Sequence, residues 1–149
     1  LDKQKIIELL IKNSVTIATA ESCTGGLLAK TITDSPGSSS IFKIGVVTYS
    51  NESKKKLLNV KSETLEKFGA VSQETALEMC KGLKGISNCD ICVSITGIAG
   101  PGGGSKEKPI GLVYVCINNE IYRLKLSGTR AQIREQTVEF TLNKIGEKL

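Results

Sequence analysis

The stretch Ala18-Thr19-Ala20-Glu21-Ser22-Cys23-Thr24-Gly25-Gly26 decides how the rest of the chain is read. The β-branched run Val15-Thr16-Ile17 leads into it and reads as a buried strand. Leu27-Leu28-Ala29-Lys30-Thr31-Ile32 leads out of it as a helix that begins near Thr24. A sharp strand-to-helix turn places its side chains at the open end of a sheet. It also aims the helix's free N–H groups at whatever binds there. Ser22 is therefore placed like a nucleophile with an oxyanion site beside it. The residues alone leave a plainer alternative open, in which Ser22 or Thr24 is only an N-cap.

Outward from this turn the chain alternates helix and strand. Lys3 to Asn13 reads as an amphipathic helix with Ile6, Leu9 and Leu10 on one face. After the turn-rich Asp34–Ser39 segment, Ile44–Tyr49 reads as a second buried strand, and Ser50 caps a short helix carrying Lys54, Lys55 and Lys56. A short helical piece from Ser62 to Lys67 follows, then a helix capped by Ser72 with Ala76, Met79, Cys80 and Leu83 as its apolar stripe. Ile91–Thr96 is apolar enough to be a central strand, and it runs into the glycine-rich Gly97–Ser105. Gly111–Ile117 and Ile121–Leu126 form a hairpin around Asn118-Asn119-Glu120. Thr129 and Gln132 make a capping box for the last helix. The pattern is α/β: a three-layer α/β/α sandwich over residues 1–149 as one domain, with a mostly parallel mixed sheet and one antiparallel hairpin.

The 149 residues are 40% hydrophobic and 23% charged, an ordinary globular balance. Aromatics make up 4%, with no Trp, which argues against base-stacking platforms and makes nucleic acid a poor partner. The net charge of +5 suits an anionic small ligand. No signal peptide or membrane-length apolar run is read in the chain, and five cysteines in apolar segments fit reduced thiols, so a cytoplasmic location is expected. Cys89 and Cys92 have the spacing of a zinc half-site but no second pair, and the chain has no His; they are read as structural and no metal is expected.

The missing His removes every Ser-His and Cys-His mechanism, so a base must be Lys, Tyr or a carboxylate. Lys54 is the natural candidate, relayed through the Tyr49 phenol. An unperturbed Lys at pH 7 is neutral only about one part in 2,500, so holding it neutral costs about 4.6 kcal/mol. Burial with Lys55, Lys56 and Arg130 nearby would supply that shift. Three strand ends carry polar groups: Glu21-Ser22, Thr48-Tyr49, and Thr96 with its glycine loop. They converge if the strands are parallel neighbours. Arg130 and Arg134 share one face at a helix start, where their charge opposes the dipole and invites an anion such as a carboxylate or phosphate. Cys23 stands beside Ser22 as a rival nucleophile that local chemistry does not exclude.

With these residues quoted, the chain resembles the CinA C-terminal domain family, which includes the nicotinamide mononucleotide deamidases. The resemblance is carried by Thr19–Gly26, Val47–Lys54, Gly69–Ser72, Ser94–Pro101, Gly103–Ser105 and Lys108–Gly111, in the family's order. Gly102 and Gly128-Thr129-Arg130 depart from it, where Asp and Gly-Asp-Arg are usual. The resemblance implies hydrolysis of nicotinamide mononucleotide to nicotinic acid mononucleotide and ammonia, in pyridine nucleotide salvage. It implies Ser22 as nucleophile with Tyr49 and Lys54 as activating partners, no cofactor, and a homo-oligomer. Substrate contacts are expected around the nucleophile from Glu21, Cys23, Thr24 and Gly25, and from Thr48 and Asn51 beside Tyr49. Thr96, Gly97, Gly100 and Gly103 would line the nucleotide site, with Arg130 and Arg134 holding the phosphate. A catalytically weak or silent nucleotide-binding module of a competence- or DNA-damage-associated protein, and an amidase for another pyridine amide, are the alternatives.

Overall fold

The computed structural model describes residues 2–149. In chain order the elements are α1 (Lys3–Lys12), β1 (Ile17–Glu21), α2 (Leu27–Thr33), β2 (Phe42–Val47), α3 (Asn51–Leu58), α4 (Ser62–Phe68), α5 (Gln73–Ser87), β3 (Ile91–Gly97), β4 (Leu112–Ile117), β5 (Glu120–Lys125) and α6 (Arg130–Glu147). One sheet has the order β2-β1-β3-β4-β5. β1 pairs in parallel with β2 and β3, while β3–β4 and β4–β5 are antiparallel. The expected three-layer α/β/α arrangement is therefore present, with four of the five strands pointing one way.

The two faces of the sheet bury separate cores. Ile17, Val93, Ile95, Val113 and Val115 pack under α1, α2 and α6 through Ile6, Leu10, Leu28, Ile32, Val138 and Leu142. Ala18, Ala20, Cys92 and Cys116 pack under α3, α4 and α5 through Leu58, Leu65, Met79 and Leu83. Strand alternation explains the division. Every residue of β1 is buried, because β1 has neighbours on both sides and helices on both faces.

Three elements differ from the sequence reading. β2 is an edge strand with Lys43, Gly45 and Val47 exposed, so it is not the buried strand expected. Its apolar content reflects the single neighbour it packs on. α2 starts at Leu27, three residues later than Thr24, because Gly25 and Gly26 adopt φ of 60° and 102°, outside the helical basin. The hairpin turn is the two residues Asn118-Asn119, both at positive φ as a tight primed turn requires, so Glu120 pairs with Ile117 and opens β5. No helix among the described residues is long and apolar enough to cross a membrane.

Candidate active site

The parallel strands β2, β1 and β3 end together, and the polar groups at their carboxyl ends meet in a cleft of about 240 Å³. Ser22 N–H donates to the Ile95 carbonyl (3.0 Å), and Thr48 N–H to the Glu21 carbonyl (2.9 Å), so the ladder fixes both turns. Ser22 follows the alternation of Ala18 and Ala20 and points toward α3, whereas Glu21 and Cys23 point to the other face.

Lys54 sits one turn into α3, which the Ser50–Ser53 capping box starts cleanly. Its side chain is 1% exposed, an unusual state for lysine. Nζ lies 3.1 Å from Ser22 Oγ and 2.8 Å from the Thr48 carbonyl. No carboxylate lies within ion-pair distance of it among the described residues. Burial holds its pKa below the ordinary lysine value. Lys55 and Lys56 are exposed and contribute nothing to that shift, so burial replaces the charge crowding expected from the lysine triplet. Nζ donates to both oxygens; once neutral, the amine can keep the Thr48 contact and accept the Ser22 hydroxyl proton on its lone pair.

The structure changes four expected roles. Tyr49 is no relay between Lys54 and Ser22, because the amine reaches the hydroxyl directly; Tyr49 is 58% exposed and its phenol accepts from Arg130 at 2.8 Å. Arg130 also donates to the Gly100 carbonyl (2.6 Å) and so bridges two rims of the cleft. Glu21 is 1% exposed and not a ligand contact: it accepts from Thr24 Oγ1 (2.7 Å) and the N–H groups of Leu28 (2.8 Å) and Ala29 (3.0 Å). Gly26, the N-cap of α2, has no side chain to offer, so Glu21 does that work from the strand. The helix-end oxyanion site expected from α2 is thereby occupied by the protein's own carboxylate. Among the described residues the N–H groups of Cys23 and Thr24 have no acceptor. Arg134 is no clamp at the cleft; it donates to the Thr24 carbonyl (3.0 Å), and a Cβ on Gly25 would meet its NH2 at 2.8 Å. It braces the nucleophile turn from behind.

Cys23 lines the cleft, but burial pushes its thiol up to about 12, so the reactive thiolate is suppressed. Thr96, 1% exposed, lines the cleft and donates to the Ala70 carbonyl (2.8 Å), while Gly97, Gly100 and Gly103 form the wall beside it. Thr24, Gly25, Thr48 and Asn51 lie outside the lining; Thr48 is wholly buried with its Oγ1 unpartnered, and Asn51 is exposed at the start of α3. Ala70 and Val71 were not singled out from sequence as site residues, yet they form the opposite wall. Their only signal was membership of the Gly69–Ser72 motif. A wider groove of about 590 Å³ lies between α1, α2 and α6, but its hydroxyls, Thr31 and Ser35, have no buried amine beside them, and the chemistry argues for the smaller cleft.

Residues 2–149 match the model of the CinA C-terminal domain. The chain belongs to the CinA C-terminal domain family. It is 52% identical over 145 residues to a putative competence-damage inducible protein of Thermoanaerobacter sp. (strain X514), covering 95% of this chain and 35% of that protein. A Clostridium novyi protein of the same description is 55% identical over 135 residues, covering 88% of this chain and 33% of its own length. The chain thus spans about a third of the curated relatives it matches. Among solved structures, competence/damage inducible protein CihA from Agrobacterium tumefaciens superposes with a TM-score of 0.91 at 42% identity, over 96% of this chain and 90% of that one. A CinA superfamily protein from Klebsiella pneumoniae 700603 does so with 0.93 at 35% identity, over 98% and 94%. Both superpositions cover nearly all of the fold on which the cleft is built.

Proposed function

We propose that this CinA domain is an amidohydrolase that converts nicotinamide mononucleotide and water to nicotinic acid mononucleotide and ammonia. The observation that carries the reading is the buried Lys54 amine, 3.1 Å from Ser22 Oγ with no carboxylate partner. Ser22 Oγ attacks the carboxamide carbon as its proton passes directly to Lys54 Nζ. Lys54 then returns the proton to the departing amine, which leaves as ammonia. Water, deprotonated by Lys54 Nζ, then attacks the acyl carbon, and Lys54 passes that proton to the departing Ser22 Oγ. The Cys23 and Thr24 N–H groups are the candidate oxyanion donors, each worth about 2.7–4 kcal/mol in comparable sites.

The lining supports an anionic ligand, since among the described residues Arg130 is its one permanently charged side chain and no carboxylate lines it. The cleft is slightly smaller than the roughly 300–1,000 Å³ usual for ligand pockets. It suits the pyridine amide, with the sugar phosphate reaching out past the exposed Arg130. Exposed Val47, Tyr49 and Leu57 near the open edge of β2 support a homo-oligomer, which light scattering tests.

Because the chain spans a third of its curated relatives, a binding domain within a longer protein is the second reading. Ammonia release from nicotinamide, its riboside and its mononucleotide, measured side by side, separates these. Turnover of the mononucleotide supports the proposal. Binding without ammonia supports the binding domain, and preference for free nicotinamide points to another pyridine amidase.

A further inference from the structure

We propose that Lys108 is a positioning residue that latches the glycine loop to the α4–α5 connection and so fixes the distance between the two walls of the cleft. The loop from residue 98 to 110 leaves β3 and returns to β4. Gly100, Gly102, Gly103 and Gly104 give it a large conformational entropy, and residues 101–107 are exposed. A loop of this composition is a wall only if something ties it down.

Its base is closed by Gly111 N–H to the Ile98 carbonyl (2.8 Å) and Ile98 N–H to the Leu112 carbonyl (2.9 Å). Its far end is stiffened by a reciprocal pair: Ser105 N–H to the Lys108 carbonyl (2.8 Å) and Lys108 N–H to Ser105 Oγ (3.0 Å). From that stiffened turn the Lys108 side chain crosses to α4, where Nζ donates to the Phe68 carbonyl. Phe68 is the last residue of α4, so its carbonyl belongs to the helix's negative end, where an ammonium is favoured.

Two further observations make this a built contact. Gly69 has φ of 80°, and a Cβ there would lie 2.9 Å from Lys108 Nζ, so the space beside it is filled by the lysine. The next carbonyls are also taken: Gly69 accepts from Ser72 Oγ (3.0 Å) and Thr75 Oγ1 (2.7 Å), and Ala70 accepts from Thr96 Oγ1 (2.8 Å). α5 and β3 thus hold residues 69 and 70, and Lys108 brings the glycine loop to the same anchor. Ala70 and Val71 form one wall of the cleft and Ile98 to Gly103 the other, while Lys108 itself does not line it. Arg130 ties Gly100 on the mouth side.

The kinetic part of the test rests on the proposed function; the exchange part does not. Amide hydrogen exchange is measured on the parent, Lys108→Met, Lys108→Gln, Lys108→Arg and the control Lys106→Met. Exchange across residues 98–107 is expected to quicken about tenfold or more in the Met and Gln variants. It stays near parental in Lys108→Arg and in the control. For mononucleotide hydrolysis, Lys108→Met raises KM about five- to twentyfold with kcat within about threefold, and Lys108→Arg restores KM. Unchanged loop exchange in Lys108→Met overturns the latch. So does a control that matches it, or a fall in kcat with KM unmoved. Faster exchange in a protein that releases no ammonia keeps the latch and removes the amidase reading.

Discussion

Replacing Lys54 with Met tests the buried amine without any substrate. Met keeps the length and apolar stem but has nothing to protonate. Lys54 is 1% exposed with its pKa lowered by burial, so folding strips or destabilises its proton. The unfolded chain holds that proton up to its ordinary pKa, about 10.4. If the folded amine is neutral, the cost at pH 7 is about 4.6 kcal/mol, falling to about 1.9 kcal/mol at pH 9. The sign is set by the unfolded state binding more protons: parental stability rises with pH from the folded pKa to the unfolded one. Met abolishes that dependence. Against it stand the two lost contacts, to Ser22 Oγ and the Thr48 carbonyl, worth about 1 kcal/mol each. The variant is therefore expected to be more stable than the parent at pH 7 by up to about 2–3 kcal/mol, with the advantage gone near pH 9. Cys23, held near 12, does not titrate in that window. Urea unfolding of both proteins at pH 7, 8 and 9 gives the difference directly. A parent more stable than Lys54→Met at pH 7, with a gap independent of pH, refutes the reasoning, because it means the amine folds fully charged.

The remaining outcomes follow from named contacts. Ser22→Ala should cut ammonia release at least about a thousandfold while nucleotide binding, followed calorimetrically, stays within a few-fold. Tyr49→Phe should keep kcat within about threefold, since the phenol meets Arg130; a loss of about a hundredfold or more would restore the relay. Cys23→Ala should retain kcat within about fivefold, and the parental thiol should resist alkylation at pH 8, because burial keeps it protonated. Glu21→Gln removes the carboxylate that receives Leu28 and Ala29 N–H, and should cost about 1–3 kcal/mol in thermal unfolding; an unchanged Tm contradicts its capping role.

Sequence patterns reached the fold because apolar runs and caps are local. The Ser50 cap and the Thr129 capping box start α3 and α6 where the sequence places them. β2 misled because an edge strand and a buried strand can share a composition; only the strand order, which is non-local, separates them. At the site, the convergence of Ser22, Tyr49 and Thr96 was legible from strand ends, with Lys54 one turn into the helix that follows Tyr49. Glu21 and Arg134 were not, because both look like ligand groups until their partners are known. One caps a helix seven residues away and the other braces a carbonyl 110 residues away. Ala70 and Val71 have no reactive atoms, so chemistry could not point to them.

The protonation of Lys54 can be observed directly. With lysines labelled at Nζ and Cε, nuclear magnetic resonance titration follows each amine of the folded protein. One lysine resonance, missing from Lys54→Met, should lose its proton at distinctly lower pH than all the others. If every lysine instead titrates together in the ordinary range, the amine beside Ser22 is a plain ammonium and cannot take its proton.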